Sequence, residues 1–557
     1  MTNRTLTVCA LGGLVLPVTL ASAQSKGKTG AQKKLNIVHI MSDDHSYQTI
    51  SAYGGPVSKL APTPNIDRLA ASGMIFTKAY VENSISTPSR ATLVTGKYSH
   101  QHGQIRLGGS TFDPNQPVFP AMLKANGYQT AVIGKWHLRG TPQGFDHYKV
   151  LQGQGNYYAP TFLSENSNGQ YIREEGYASD LITDSAIEWM DKRDKQRPFC
   201  ILVHHKSVHR PWVADTKYLT LYEDVDFPEP PPLFDDFRTR SDASPTAMQR
   251  IDKDMNFKSD LKLFEPGTSV DISEYKRMNK AQKAAWEKAY TASNAKFYKL
   301  NPKGDDMTRW KYQRYLKEYL RCVKSLDDQV GRILDYLDEK GLTDNTLIVY
   351  TSDQGFYMGE HGWFDKRFMY EESFRTPLLM SCPGLIKPGS VCSELVQNID
   401  FAPTYLDFAG VTVPADMSGT PLRPLLASGK ANGWRDLLYY RYYDYPSSHN
   451  TRAHEGVATK DYKIIHFKDN GGGKKGTDKP IDAWEFYDLK KDPTEVNNVY
   501  SDPAYAKAVA EMTKRFNDTK TSLRVEEHVK PFFEQEKQAK EAGAAGVQPS
   551  KKQGKKK

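Results

Sequence analysis

The run Leu35-Asn-Ile-Val-His-Ile-Met41 has the composition of a β-strand and ends abruptly at Ser42-Asp43-Asp44. Much later in the chain, the run Thr346-Leu-Ile-Val-Tyr-Thr351 ends in the same way at Ser352-Asp353-Gln354. Between these two runs, helical patterns alternate with short apolar runs. The helical patterns cover residues 65–72, 177–192 and 309–340, and the apolar runs cover residues 130–133 and 199–203. This alternation predicts an α/β fold with a mostly parallel central sheet flanked by helices.

The residues at the ends of the two strands predict one shared site. Ligands of parallel α/β sheets bind beyond the carboxyl ends of the strands, so we expect Asp43, Asp44, Asp353 and Gln354 to lie close together. Adjacent carboxylates repel each other unless a cation lies between them, and a set of oxygen ligands suits Ca²⁺ or Mg²⁺ better than zinc. A single Asp-Asp pair is more often a loop cap, but two such pairs favour a metal site.

The segment Ser86-Thr-Pro-Ser-Arg90 precedes Ala-Thr-Leu-Val-Thr-Gly96 and predicts the start of a helix. Proline suits the first turn of a helix, and the apolar residues continue it. The N–H groups at such a helix start bind anions, and the guanidinium of Arg90 would add to the attraction. By spacing alone, an ordinary Ser/Pro helix start is the favoured explanation of the segment.

Taken together and in this order, the motifs resemble those of the type I sulfatases, which depend on formylglycine, in the serine-type bacterial form. The strand-end acids match the family's calcium ligands, and the similarity runs from about residue 35 to residue 528. The other matching motifs are Ser86-Thr-Pro-Ser-Arg90 with Thr95-Gly96, Gly134-Lys-Trp-His-Leu138, Val208-His-Arg-Pro211, and Asp365-Lys366 with Tyr370-Glu371 and Arg375-Thr-Pro377.

The resemblance implies an alkaline-phosphatase-like core, a smaller C-terminal subdomain and a sulfatase activity. A maturase would oxidise Ser86 to formylglycine, whose hydrate attacks the sulfur of a sulfate ester. An unmodified serine hydroxyl is a poor nucleophile, and no adjacent base is evident here. Calcium would be held by Asp43, Asp44, Asp353, Gln354 and the oxygen of residue 86. Gln354 departs from the Asn or His of many relatives but keeps an amide oxygen, and it disfavours the two-metal phosphatases.

The resemblance also assigns the remaining catalytic residues. Arg90 and Lys135 would orient the hydrate and neutralise sulfate, while Lys366 would bind the sulfate oxygens. His137 would assist breakdown of the sulfated intermediate. His209 is the expected general acid, because histidine titrates near neutral pH.

The stretch from Gly355 to Ser373 is similar to the N-acetylglucosamine-6-O-sulfatase branch. It implies removal of the 6-O-sulfate of a glucosamine at the non-reducing end of a glycosaminoglycan, such as heparan sulfate, or of a mucin-type glycan. Three alternatives stay open: another sulfatase specificity (uronate 2-O-sulfate, aryl or choline sulfate), a formylglycine-dependent phosphodiester or phosphonate hydrolase, and an inactive protein that only binds sulfated glycans.

Contacts with the sugar are expected from residues near the last motif. Asp365 and Arg367 flank Lys366 and could hold sugar hydroxyls, although a surface ion pair is as good an explanation. Among the other histidines, most of which should be structural, His361 lies in the turn that leads to Lys366. We prefer His454 over His449 as a contact from the C-terminal subdomain.

The ends of the chain predict export. Residues 1–23 have the pattern of a signal peptide, with Arg4, an apolar run at residues 8–20 and small residues up to Ala23. Cleavage after about Ala23 would send the protein to the periplasm, and no later run is apolar enough to span a membrane. The spacing of the cysteines leaves disulfides undecided.

The rest of the chain divides into four segments by composition, one of which contains an insertion. Residues 24–34 read as a linker, 35–432 as the catalytic domain, 222–268 within it as a surface insertion, 433–528 as a subdomain with an antiparallel sheet and a helix, and 529–557 as a disordered basic tail. The net charge of +9 lies in the ends, because removing ten Lys and Arg of residues 1–34 and 551–557 leaves −1. The ends read more simply as solvated tails than as polyanion binders, and nucleic-acid binding is not supported.

Overall fold

The computed structural model describes residues 34–108 and 111–545. The predicted signal peptide, the linker before Lys34 and residues 546–557 lie outside the described residues. The strands are β1 (Asn36–Ser42), β2 (Met74–Phe76), β3 (Ala79–Tyr80), β4 (Gln129–Gly134), β5 (His147–Leu151), β6 (Thr161–Ser164), β7 (Ile172–Arg173), β8 (Phe199–His204), β9 (Thr346–Ser352), β10 (Leu378–Ser381), β11 (Ser390–Cys392), β12 (Val396–Gln397), β13 (Leu438–Tyr442), β14 (His454–Ala458), β15 (Tyr462–Asp469) and β16 (Ile481–Asp488).

The helices connect and cover these strands. In chain order they are α1 (Pro56–Leu60), α2 (Pro64–Ser72), α3 (Ser86–Thr95), α4 (Ser99–His102), α5 (Phe119–Ala125), α6 (Ala178–Lys192), α7 (Ala243–Thr246), α8 (Ile251–Asp254), α9 (Ser273–Arg277), α10 (Lys280–Leu300), α11 (Gly304–Glu339), α12 (Glu371–Phe374), α13 (Phe401–Phe408), α14 (Arg423–Ser428), α15 (Ala506–Ser522) and α16 (Val525–Ala545).

The large sheet has ten strands in the described residues, in the order β11-β2-β10-β9-β1-β8-β4-β5-β6-β7. The five central strands, β9, β1, β8, β4 and β5, are parallel to one another. Strands β10 and β6 join this centre in antiparallel pairs. The mostly parallel α/β sheet that the sequence predicts is therefore confirmed, with antiparallel strands added at both edges.

Two apolar cores lie on the two faces of this sheet. Alternate residues of a strand point to opposite faces, so Val38 and Ile40 of β1 enter one core while Ile37 and Met41 enter the other. Helices α2, α6 and α11 cover the first core, and α3, α5 and α13 cover the second. Burial on both faces explains why β1 and β9 are nearly continuous apolar runs.

The C-terminal part forms a second sheet, β13-β14-β15-β16, in which every neighbouring pair is antiparallel. Helix α15 packs on it through Met512 and Phe516, which share a core with Val457, Ile464 and Phe486. The predicted antiparallel sheet with a helix is present.

Two other segments show where composition is ambiguous. Residues 222–268 carry α7 and α8, and they bury Leu233, Ile251 and Leu261 in the first core. The sequence predicts a disordered tail from residue 529, but the structure continues helix α16 over residues 529–545. Val529 is buried, and the Glu, Gln, Lys and Ala residues that follow favour helix. Polar composition is common to disordered tails and exposed helices, so it does not distinguish them.

The four cysteines of the described residues, Cys200, Cys322, Cys382 and Cys392, are buried and unpaired. No helix within residues 34–108 and 111–545 combines the length and the apolar character needed to cross a membrane.

Candidate active site

The carboxyl ends of the central strands lie at one edge of the large sheet. The ends of β1 and β9 are level, since Ser42 pairs with Ser352. The ends of β8 and β4 are level as well, since His204 pairs with Gly134, and β8 runs alongside β1. The residues that follow these strands meet at this edge, where parallel sheets bind ligands: Asp43, Asp44, Lys135, Asp353 and Gln354.

Helix α3 starts beside this edge. Ser86 is its first residue, and Ser86 Oγ donates a hydrogen bond to Asp43 Oδ1 at 3.3 Å. The preceding residue, Ile85, provides no side-chain cap, so the first N–H groups of α3 are left for an anion. At the other end, Gly96 closes the helix with φ of 66°, a conformation that favours glycine.

Arg90 lies one turn into α3 and holds the site together. Its Nη2 and Nε donate to Asp353 Oδ2 at 3.0 and 3.2 Å, and its Nη1 donates to the carbonyl of Lys135 at 2.6 Å. Nη2 also lies 3.5 Å from Asp43 Oδ1. The main role of these buried contacts is structural, because Arg90 holds Asp353 and Asp43 in place.

Two buried lysines face the aspartates. Lys135 Nζ donates to Asp43 Oδ2 and Lys366 Nζ donates to both oxygens of Asp44, at 2.6 and 2.7 Å. Gly134 makes the position of Lys135 possible, because a Cβ there would lie 1.9 Å from the carbonyl oxygen of His204. We call the buried residues of this edge the floor: Asp43, Asp44, Ser86, Arg90, Lys135, Asp353, Gln354 and Lys366.

Three carboxylates and three cations make up the charge of the floor. Burial opposes ionisation of Asp43, but Lys135, His209 and Arg90 outweigh it and hold its pKa well below the usual value. Burial, reinforced by Asp43 and Asp353, raises the pKa of Asp44 to about 7 despite the ion pair with Lys366. Burial likewise lowers the pKa of Lys135 to about 8, although Asp43 acts in the opposite direction.

The floor fits a hard divalent cation. Gln354 Nε2 donates to Asp44 Oδ1, while Gln354 Oε1 is buried and has no hydrogen-bond partner among the described residues. Asp353 Oδ1 accepts from the backbone N–H of Asp44 at 3.1 Å, so the acids from the two strands are in contact. Ca²⁺ binds carboxylate and amide oxygens, and here an amide oxygen without a partner lies beside carboxylates that repel each other. The aspartates and Gln354 would hold it.

Two predicted histidines lie next to the floor. His209 Nε2 is 3.8 Å from Asp44 Oδ2, and its Nδ1 donates to the carbonyl of Arg210 at 2.6 Å. Burial and the nearby Lys135 lower the pKa of His209 well below its usual value. His137 is half-buried, its Nδ1 has no partner in the described part of the chain, and burial together with Lys135 and Arg90 lowers its pKa in the same way.

A cavity of about 400 Å³ opens above the floor. Ser86, His209 and Lys366 are among the residues that line it. We call five polar residues at its sides the rim: Arg210, Asp260, Asp365, Arg367 and His449. Gln154 also lines the cavity, in contact with Lys135 of the floor. The cavity is open to solvent and large enough for a sugar, and Ser86 and Lys366 of the buried floor form part of its lining.

The rim residues pair with each other. Asp365 Oδ1 accepts from Arg367 Nε at 2.9 Å, and Asp365 Oδ2 lies 3.3 Å from His449 Nε2. Arg210 binds Asp260 through two parallel hydrogen bonds, of 2.8 and 2.6 Å. Asp365 and Arg367 have φ of 73° and 95°, which is rare for residues with a Cβ. Such backbone costs about 1–3 kcal/mol each and persists where the surroundings hold a functional side chain in place.

The structure does not bring the other two predicted sugar contacts to this cavity. Both ring nitrogens of His454 bind backbone: Nε2 accepts from the N–H of Met369 at 3.1 Å, and Nδ1 donates to the carbonyl of Arg452 at 2.8 Å. His454 lines a separate cavity in the C-terminal part. His361 is buried and lies 2.9 Å from Asp235.

The rim contains residues that the sequence did not indicate. His449, the less favoured of the two histidines, is the one on the cavity. The sequence pattern does not predict a contact with substrate for Arg210, Asp260 or the neighbouring Gln154. Gln154 stands between two glycines, a weak sign of a shaped loop. Nothing in the sequence shows that Asp260, within residues 222–268, reaches Arg210.

Comparisons with known proteins identify the family of the chain. A family profile described as Sulfatase matches residues 35–411, and one described as N-sulphoglucosamine sulphohydrolase, C-terminal, matches residues 359–522. The chain belongs to the sulfatase family, whose members hydrolyse sulfate esters.

The chain is 44% identical over 520 residues to the N-acetylglucosamine-6-O-sulfatase of Bacteroides thetaiotaomicron, covering 91% of this chain and 90% of the relative. It also superposes on the solved structure of a protein in complex with that protein's substrate, D-glucosamine-2-N,6-O-disulfate, with a TM-score of 0.83 and 44% identity. The superposition covers 88% of this chain and 98% of the other. A phosphonate monoester hydrolase of Silicibacter pomeroyi, 20% identical with a TM-score of 0.64 over 88% and 96%, shares the fold. The predicted alkaline-phosphatase-like fold is confirmed.

Proposed function

We propose that this sulfatase removes the 6-O-sulfate of N-acetylglucosamine or glucosamine at the non-reducing end of a glycosaminoglycan or mucin-type glycan. The cavity carries the proposal, because Ser86 and Lys366 of the floor and the paired polar groups of the rim line the same space of about 400 Å³. The 44% identity to an N-acetylglucosamine-6-O-sulfatase over nearly the whole chain supports the choice of sugar.

Residue 86 and the cation site would supply the nucleophile. We infer that a maturase converts Ser86 to formylglycine and that Ca²⁺ binds Asp43, Asp44, Asp353 and Gln354. When present, the hydrated aldehyde and the cation together supply a hydroxyl that is more acidic than that of serine. Gln354 Oε1, which is buried without a partner among the described residues, supports a cation at this place.

The lysines and α3 would bind the sulfate group. Its oxygens would lie between Lys135 and Lys366, beside the first N–H groups of α3. Because both lysines are buried and held by Asp43 and Asp44, they are positioned before substrate arrives. Such pre-positioned charges stabilise the additional negative charge of the transition state.

His209 is the proposed general acid for the leaving sugar oxygen. Its Nδ1 donates a hydrogen bond to the carbonyl of Arg210. The other ring nitrogen, Nε2, is therefore the atom that would carry the catalytic proton. Burial keeps the ring neutral without substrate, and the negative charge of a bound sulfate ester would raise its pKa. As the sulfur–oxygen bond to the sugar breaks, that oxygen takes the proton and leaves as an alcohol. His137 would assist the later release of sulfate.

The rim would hold the sugar ring. His449 Nδ1 donates to the carbonyl of Met248 at 2.9 Å, and burial lowers the pKa of His449 to about 4 although Asp365 raises it. Because His449 Nε2 lies 3.3 Å from Asp365 Oδ2, the two polar atoms stand side by side on the wall of the cavity. A sugar hydroxyl can donate to Asp365, and Arg367 can donate to a second hydroxyl.

The proposal is tested by sulfate release from monosulfated compounds. Protein made with a maturase is incubated with N-acetylglucosamine-6-sulfate, 6-sulfated galactose, a 2-O-sulfated uronate, choline sulfate, an aryl sulfate and a phosphonate monoester. Selective release from the glucosamine is expected. Release only from another sulfate ester would contradict the proposed choice of sugar. Turnover of only the phosphonate would overturn the proposed reaction. Binding of a sulfated glycan without turnover would show that the protein binds such glycans but does not hydrolyse them.

We also propose that the chain is exported to the periplasm after cleavage near Ala23, because residues 1–23 have a signal-peptide pattern. The N-terminal sequence of the protein recovered from the periplasm of its host tests this. A chain found in the cytoplasm with its first residues intact would contradict it.

A further inference from the structure

Gln154 lies in the loop between β5 and β6 and contacts two buried lysines. Its side-chain Oε1 accepts a hydrogen bond from Lys135 Nζ at 2.6 Å, and its backbone carbonyl accepts from Lys206 Nζ at 3.2 Å. Lys206 is 2% exposed, and its Nζ lies 4.8 Å from the ring centroid of Tyr157. Although Gln154 is in a loop, both of its oxygens are therefore held by groups of the packed core.

The bond to Lys135 fixes which way the Gln154 amide faces. A lysine ammonium can only donate, so the amide oxygen must point to Lys135 and the NH₂ group must point away from it. No acceptor for Gln154 Nε2 is found within residues 34–108 and 111–545. Gln154 lines the cavity together with Ser86, His209 and Lys366. The cavity is thus the space in which this donor can be satisfied.

The geometry points to Gln154 as a substrate-binding residue whose Nε2 donates to an oxygen of the sulfate group, while its Oε1 holds Lys135. This inference rests on the proposed function, because it needs a sulfate ester above Ser86. The amide adds a donor without a charge. It also couples the cavity wall to Lys135, which touches Asp43.

Two substitutions separate the donor from the support of Lys135. Gln154→Glu keeps an acceptor for Lys135 but removes the donor and places a negative charge beside the sulfate. Gln154→Ala removes both. If Gln154 binds substrate, both variants lose about ten- to a hundredfold in kcat/KM, the usual effect of one hydrogen bond to a charged group, and Glu loses at least as much as Ala. If Gln154 only positions Lys135, the Glu variant stays close to wild type.

The matched control is Gln152→Glu, the same substitution on an exposed side chain of the same loop. Sulfate release is measured on N-acetylglucosamine-6-sulfate and on 4-nitrophenyl sulfate, with the melting temperature of each variant as a check on folding. The losses should occur on every ester that the wild type hydrolyses, because the contact is with sulfate. Equal kcat/KM for wild type and folded Gln154→Glu would overturn the inference. A wild type and a Gln152→Glu variant that both fail to release sulfate would overturn the proposed function, and this inference with it.

Discussion

The floor and the rim of the cavity are built in different ways. Most floor residues directly follow a central strand or begin α3, and every floor residue is at most 3% exposed. The rim comes from loops that are far apart in the chain, including residues 222–268 and the C-terminal part. The floor is thus fixed by the sheet, whereas the rim can change without changing the sheet. In our proposal, the floor performs the chemistry and the rim selects the sugar.

The largest effect should come from the floor. Ser86→Ala should lower sulfate release by about 10⁴-fold or more, because it removes the residue that becomes the nucleophile. Its melting temperature should change little, since only one hydrogen bond, to Asp43, is lost. Ser522→Ala, at the exposed end of α15, serves as the control. Measurable turnover by Ser86→Ala would remove residue 86 from the mechanism.

Removal of the cation should also abolish turnover of every substrate. A chelator should bring sulfate release to background, and Ca²⁺ should restore it, because three carboxylates and an amide oxygen prefer a hard cation. Asp353→Asn should raise the calcium concentration needed for half activity about tenfold or more. Metal analysis together with activity checks both points. Full activity in protein shown to be free of metal would contradict the calcium site.

His209 lies between floor and rim, and its effect should depend on the leaving group. His209→Asn should lower kcat for a sugar sulfate by about 10²–10⁴-fold, the usual contribution of a general acid. It should lower kcat for 4-nitrophenyl sulfate much less, because nitrophenolate leaves without a proton. His147→Asn, a half-buried histidine away from the cavity, is the control. Equal losses on both esters would exclude His209 as the acid.

The smallest effects should come from the rim, where His449 can be compared with His454, a buried histidine outside this cavity. His449→Ala should lower kcat/KM for the sugar sulfate about ten- to a hundredfold and leave an aryl sulfate almost unchanged. His454→Ala should leave the folded enzyme active but destabilise it by about 2–4 kcal/mol, because it removes a buried ring with two backbone hydrogen bonds. Thermal unfolding and kinetics of both variants test this. A loss of activity on the sugar sulfate in His454→Ala but not in His449→Ala would identify His454 as the sugar contact.

The sequence predicted the parts whose position follows from the sheet. Strand-end residues such as Asp43 and Asp353 meet because parallel strands end at the same edge, and the helix start at Ser86 was visible in its residue pattern. The antiparallel strands at the sheet edges and helix α10 were not predicted, because short or weakly periodic segments depend on packing. The rim was predicted only in part, because the position of His449 rather than His454 depends on how remote loops meet.

The most direct test of the division between floor and rim is a crystal structure of Ser86→Ala with N-acetylglucosamine-6-sulfate. We expect the sulfate group between Lys135 and Lys366, with the sugar hydroxyls on Asp365, Arg367 and His449. A sugar bound with its sulfate away from the floor, or bound in the cavity beside His454, would contradict the proposed function.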